Sequence, residues 1–106
     1  MKLLLKGGTV VSAAGSKIAD LLIEDEKIVR VGQDLTDAEA KVVPMEGKLL
    51  FPGFIDAHTH FDLDVCNTTT ADNFDTGTRS ALRGGTTMVV DFACPNKGET
   101  LQYGLD

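Results

Sequence analysis

Residues 54–92 constrain the fold more than any other stretch, because they read as strand, helix and strand joined by short connections. Residues 54–57 form an apolar run directly after Pro52-Gly53. A polar loop over 62–72 leads into a helix expected over about 73–83, with Phe74, Gly77, Thr78, Ala81 and Leu82 on one face. Thr70 or Asp72 is the expected cap, and Gly84-Gly85 the stop. Residues 86–92 (Thr-Thr-Met-Val-Val-Asp-Phe) are a β-branched run of the kind found in buried parallel strands. A helical crossover between two such strands makes them parallel neighbours. The fold class is therefore α/β.

The first half has a different character. Residues 2–6 and 9–11 flank Gly7-Gly8, which reads as a hairpin connection. Residues 18–24 and 28–31 flank the polar turn Asp25-Glu26-Lys27. A further extended pair, 41–43 and 48–51, surrounds Met45-Glu46-Gly47. Val, Ile and Leu dominate and helical periodicity is absent, so residues 1–51 are expected to form a small antiparallel β unit and residues 52–106 a separate α/β unit.

Composition excludes several function classes. The net charge of −6 comes with no Lys/Arg cluster, which argues against a nucleic-acid or anionic-membrane partner. Apolar runs such as Leu3-Leu4-Leu5 are too short for a membrane span or a secretory signal, so the cytoplasm is the expected compartment. Cys66 and Cys94 lack CxxC spacing and are expected to be free, reduced thiols.

The chemistry-bearing motif is Asp56-Ala57-His58-Thr59-His60, which holds both histidines of the chain. Side chains two apart on a strand share a face, so His58 and His60 point the same way, with Asp56 below them. In α/β folds, chemistry gathers at the carboxyl ends of strands, where this pair sits. Two adjacent imidazoles can close on one divalent ion, most commonly zinc, and such an ion activates water for hydrolysis. Asp56 is a candidate for orienting an imidazole through its second N–H. Asp62 and Asp64 follow the pair, and acidic residues there also cap turns. Asp91 is expected to bond loop backbone, and Asn96, Lys97 and Glu99 to lie on a solvated loop. Gly84-Gly85 follows its helix and precedes a strand, the wrong order for a phosphate-binding loop.

These residues resemble a known family. Phe51-Pro52-Gly53-Phe54-Ile55-Asp56-Ala57-His58-Thr59-His60 is similar to the first metal motif of the amidohydrolase superfamily. Thr70 through Arg79, then Gly84-Gly85-Thr86-Thr87-Met88-Val89-Val90-Asp91-Phe92, resemble its dihydropyrimidinase/hydantoinase branch. Leu5-Lys6-Gly7-Gly8-Thr9-Val10-Val11 and the stretch from Asp20 to Ile28 fit the same branch. The resemblance implies the N-terminal segment of a protein with a composite β-sandwich and a (β/α)₈ barrel, residues 1–51 supplying sandwich strands and 52–106 the first strand-helix-strand of the barrel. It implies two divalent metals, usually zinc, bridged by a carbamylated lysine and a hydroxide that opens a dihydropyrimidine or 5-substituted hydantoin ring. His58 and His60 match the pair on the more buried metal. Leu63, Val65 and Cys66 match a loop that shapes the substrate pocket. A dihydroorotase- or allantoinase-like cyclic amidohydrolase is the neighbouring alternative.

The same resemblance puts the bridging lysine, the second metal's histidines, the catalytic aspartate and the oxyanion tyrosine beyond residue 106. Neither Lys97 nor Tyr103 falls at the matching place in the order. No catalytic residue is therefore expected within this segment, and a truncated fragment that self-assembles and binds at most one metal weakly is the non-enzymatic alternative. A full barrel takes about 250 residues, so Val89, Val90 and Phe92 are expected to lack cover. A homo-oligomer, edge-to-edge pairing or a companion chain is expected to supply it.

Overall fold

Gly7 and Gly8 do not turn the chain. In the computed structural model, which describes all 106 residues, they lie inside one unbroken strand, β1 (Lys2–Ser12). Its antiparallel partner is β2 (Gly15–Glu24), with Leu5 opposite Leu21 and Gly8 opposite Ala19. Between those pairs β1 spends one residue more than β2, which is a β-bulge. Gly7 sits there at φ +76°, a backbone state that glycine adopts without a Cβ penalty. The expected hairpin connection is thus a bulge, and the turn falls later, at Ala13-Ala14, between the paired Ser12 and Gly15. Glycine pairs signal both devices, and pattern alone does not separate them.

The next turn is where the sequence puts it. Asp25 at φ +54° begins the reversal into β3 (Lys27–Gly32), which pairs antiparallel with β2. The last two strands of this unit depart from expectation. β4 (Lys41–Pro44) and β5 (Leu49–Leu50) do not pair with each other. Each runs parallel to β1, β4 opposite Leu3 to Lys6 and β5 opposite Thr9 and Val10. The sheet is therefore mixed, in the order β3-β2-β1-β4 with β5 also on β1. Strand-forming residues do not encode direction; the 33–40 connection carries the chain back to start β4 alongside β1.

The apolar core of this unit is small: Leu4, Leu22 and Leu35 cluster with Ala40 packed against them, and Ala19 and Leu21 are buried as well. Beside it lies a buried carboxylate, Asp20, only 5% exposed. Its oxygens accept the Gly7 N–H at 2.8 Å and the Leu35 N–H at 3.0 Å, and the Lys6 ammonium stands 3.2 Å away. Lys6 also donates to the Leu35 carbonyl at 3.0 Å. One side chain thus ties the bulge to the loop after β3, and each partner satisfies a lone pair that burial would otherwise penalise. The Gly7 N–H, followed by the Lys6 ammonium and the Leu35 N–H, holds the Asp20 carboxyl below its ordinary range against the opposing effect of burial.

Contacts divide the chain into Met1–Pro52 and Gly53–Asp106. The second unit is built on β6 (Phe54–Thr59) and β9 (Thr86–Asp91), paired parallel and joined through α1 (Phe74–Arg83). Asn73 is the helix cap: its side chain accepts the Thr76 N–H while the Thr76 hydroxyl accepts the Asn73 N–H, a reciprocal capping box. Thr70, an expected cap, instead closes a small hairpin through Leu63. Gly53 has to be glycine, since a Cβ there would lie 1.9 Å from the Thr87 hydroxyl on β9. The 62–72 loop contains two short antiparallel strands, β7 (Asp64–Val65) and β8 (Thr68–Thr69). After β9, Thr100 caps a short helix, α2 (Leu101–Leu105). No helix is long and apolar enough to cross a membrane.

Candidate metal centre

His58 and His60 occupy the carboxyl end of β6 and the residue just past it, where β9 also ends. Their ring centres are 5.1 Å apart with the planes at 78°. Two imidazoles on one tetrahedral zinc, each nitrogen about 2 Å from the ion, have ring centres roughly 5 Å apart. The Nδ1 atom of His60 is buried and has no hydrogen-bond partner. A buried, unpaired ring nitrogen is costly unless something occupies it, and a divalent ion is the ordinary occupant beside a second imidazole. The pair therefore fits a metal. No cluster of three or more His, Cys, Asp or Glu side chains forms anywhere in the chain, so the pair has no third such group beside it.

The surroundings fix the backbone that carries the pair. The Asp91 carboxylate at the end of β9 accepts the Phe61 N–H at 3.2 Å, the backbone bond read for it from sequence. The Phe61 ring lies against Gly77 of α1, where a Cβ would sit 2.2 Å from it, and meets Phe74 edge-on at 5.4 Å. Thr59 donates its hydroxyl to the Val90 carbonyl at 3.0 Å. Phe92 stacks obliquely on both imidazoles, 4.8 Å from His58 and 5.2 Å from His60. Sequence reasoning missed the roles of Phe92 and Gly77. A glycine in the middle of a helix, which costs about 1 kcal/mol relative to alanine, was the available signal for the second.

Asp56 meets the backbone of the motif. The β6–β9 register slips between Asp56 and Thr59, so a strict period of two does not run through the motif. Its carboxylate accepts the His58 backbone N–H at 3.1 Å and bonds neither imidazole. In this structure the Asp56 carboxylate thus ties the strand backbone at His58.

The three pocket-loop candidates are near the strand ends but do not line one cavity. Cys66 and Asn67, at φ +52° and +60°, are the two turn residues of the β7–β8 hairpin, as in a type I′ connection. Val65 and Cys66 line a hollow of about 520 Å³ together with Asn96. Leu63 lines a second one of about 620 Å³, with Phe61, Asp91 and Phe92. The Leu63 N–H donates to the Thr70 hydroxyl at 3.0 Å, and Asp64 accepts the Thr69 hydroxyl at 2.6 Å. Cys66 and Cys94 are both free and exposed.

Residues 49–99 match the Amidohydrolase family. A D-hydantoinase of Geobacillus stearothermophilus is 44% identical over 106 residues, all of this chain and 22% of that protein. The dihydropyrimidinase of Rattus norvegicus is 42% identical over 105 residues, 94% of this chain and 20% of that protein. The solved structure of a dihydropyrimidinase from Brevibacillus agri superposes with a TM-score of 0.93 at 47% identity, over 99% of this chain and 23% of that one. A solved D-hydantoinase gives 0.92 at 44% identity, over 99% and 23%. The matched residues carry the strand-helix-strand and the histidine pair, and the family they match is one of metal-dependent hydrolases. The branch they match is that of the hydantoinases and dihydropyrimidinases, and the chain spans about a fifth of the length of those relatives.

Proposed function

We propose that His58 and His60 are the first two metal ligands of a hydrolase that opens cyclic amides, with zinc as the ion. The observation that carries this is the pair itself: two imidazoles 5.1 Å apart at a parallel strand's carboxyl end, one with a buried, unpaired nitrogen. When bound, a pair of divalent ions supplies Lewis-acid polarisation of the amide and a nucleophile at neutral pH. This chain's own residues do the positioning. Asp91 and Gly77 hold Phe61 and thereby the backbone after His60, and Asp56 ties the His58 N–H. The relatives' names support a dihydropyrimidine or 5-substituted hydantoin as substrate, with Leu63, Val65 and Cys66 on its pocket. In this reading residues 1–51 belong to a β-sandwich, β6 and β9 are barrel strands, and the protein works in the cytoplasm.

The absence of a third ligand in the cluster supports the companion statement that these 106 residues alone do not complete the catalyst. Exposed Ile55, Met88, Val90 and Phe92 support cover of the open sheet by further chain, a second copy or a companion, while Val89 is already half-buried.

The experiment exchanges the matching segment of the Geobacillus D-hydantoinase for these 106 residues. The chimera is assayed with zinc on hydantoin, dihydrouracil, dihydroorotate and allantoin, beside the isolated chain. Ring opening of hydantoin or dihydrouracil by the chimera, lost in His58→Ala, is the expected result. A chimera that is folded but indifferent to His58→Ala overturns the ligand assignment, and turnover by the isolated chain overturns the claim of incompleteness.

A further inference from the structure

Neither imidazole of the pair is held by a hydrogen bond from within the chain, although metal-ligating histidines are ordinarily fixed through their second nitrogen. What touches both rings is aromatic. Phe92, the residue after β9, has its ring centre 4.8 Å from His58 at 47° and 5.2 Å from His60 at 42°. These lie within the range of favourable ring–ring packing. The second torsion of histidine has broad, shallow wells, so an unsupported imidazole spreads over many orientations. Immobilising such rings on binding weakens affinity, and a ring already packed has less freedom to lose. Phe92 is also 44% exposed, more than a residue kept for the core.

We propose that Phe92 is a positioning residue for the metal pair: its ring, set at the end of the neighbouring strand, confines both imidazoles before an ion arrives. The inference rests on the metal reading of His58 and His60. It extends that reading by assigning the orienting function, which hydrogen bonds usually serve, to an aromatic side chain on a different strand. β9 then contributes two adjacent residues to the same end. Asp91 holds the backbone beyond His60, and Phe92 holds the rings.

The test compares the 106-residue chain with Phe92→Leu and Phe92→Tyr, with circular dichroism confirming an unchanged fold. Proton–carbon NMR of the metal-free imidazoles reads the contact, and zinc titration against a competing chelator reads its consequence. The expected result is that Phe92→Leu displaces the His58 and His60 ring resonances and weakens zinc binding about tenfold, the effect of freeing two side chains. Phe92→Tyr restores both. Unmoved ring resonances, or zinc affinity within about twofold of the parent in Phe92→Leu, overturn the role of Phe92 and leave the metal reading standing. No zinc binding by the parent chain overturns the role of Phe92 in affinity, whereas the metal reading falls only if the chimera is indifferent to His58→Ala.

Discussion

The Asp91 carboxylate accepts the backbone N–H of Phe61 at 3.2 Å, so the end of one strand holds the residue that follows the second histidine of its neighbour. The bond crosses 30 residues of sequence and makes the two strand ends one structural element. Asp91→Ala leaves that half-buried N–H unsatisfied, a loss of about 1–3 kcal/mol. The expected outcome is a lower denaturant midpoint together with weaker zinc binding. Asp91→Asn keeps an acceptor and retains most of both. A stability loss with zinc affinity unchanged would detach Asp91 from the site.

Gly77→Ala is expected to destabilise the chain although alanine is the better helix former by about 1 kcal/mol. The new Cβ would meet the Phe61 ring at 2.2 Å, and overpacking of this kind costs about 1–3 kcal/mol. Denaturant unfolding of the single variants and of the double variant with Phe61→Ala forms a mutant cycle. The penalty at Gly77 should nearly vanish once the ring is gone. A penalty unchanged by Phe61→Ala would mean that the ring is not what excludes a side chain there.

Asp20 gives a pH prediction for the first unit. Its folded carboxyl titrates below the unfolded range, held chiefly by the Gly7 N–H and then by Lys6 and the Leu35 N–H. A depressed value means that the stabilisation is fully present above the unfolded pKa of about 3.9 and fades as pH falls through the lower folded value. Asp37 and Asp25 are depressed in the same direction, Asp37 by the Glu39 N–H and then Lys2, Asp25 by the terminal ammonium. Urea unfolding at stepped pH should show stability falling on the acid side, with a shallower fall in Asp20→Asn. An identical acid limb in that variant would remove Asp20 from the account.

Leu4 is 2% exposed and is the largest fully buried side chain in the molecule. Leu4→Ala is expected to cost about 2–5 kcal/mol. It clusters with Leu22, Leu35 and Ala40, and the loss is a large share of what so small a core supplies. Loss of the cooperative unfolding transition in circular dichroism is the expected readout. A transition shifted by less than a degree would show that the core lies elsewhere.

How much of this was legible in sequence varies with the range of the interaction. The strand-helix-strand and the histidine pair were legible because each depends on local spacing: 86–92 is rich in β-branched residues, and His58 and His60 are two apart. The direction of β4 and β5 was not, since parallel pairing with β1 is decided by the 33–40 connection and leaves no mark on composition. Gly7-Gly8 carried two meanings, turn and bulge, and the cross-strand register chose the second. The bond from the His58 N–H to Asp56 was not legible either, since the register slip beside it depends on β9. Phe92 and Gly77 act through contacts made across strands and between helix and loop, which spacing along the chain does not reveal.

The most direct test of the central claim is zinc titration of the chain followed by nitrogen-15 NMR of the imidazoles. The account predicts that one zinc per chain shifts the ring nitrogens of His58 and His60 and that His58→Ala or His60→Ala abolishes the binding. Zinc bound equally well by the double alanine variant, or bound through Cys66 and Cys94 with the imidazoles unmoved, would contradict it.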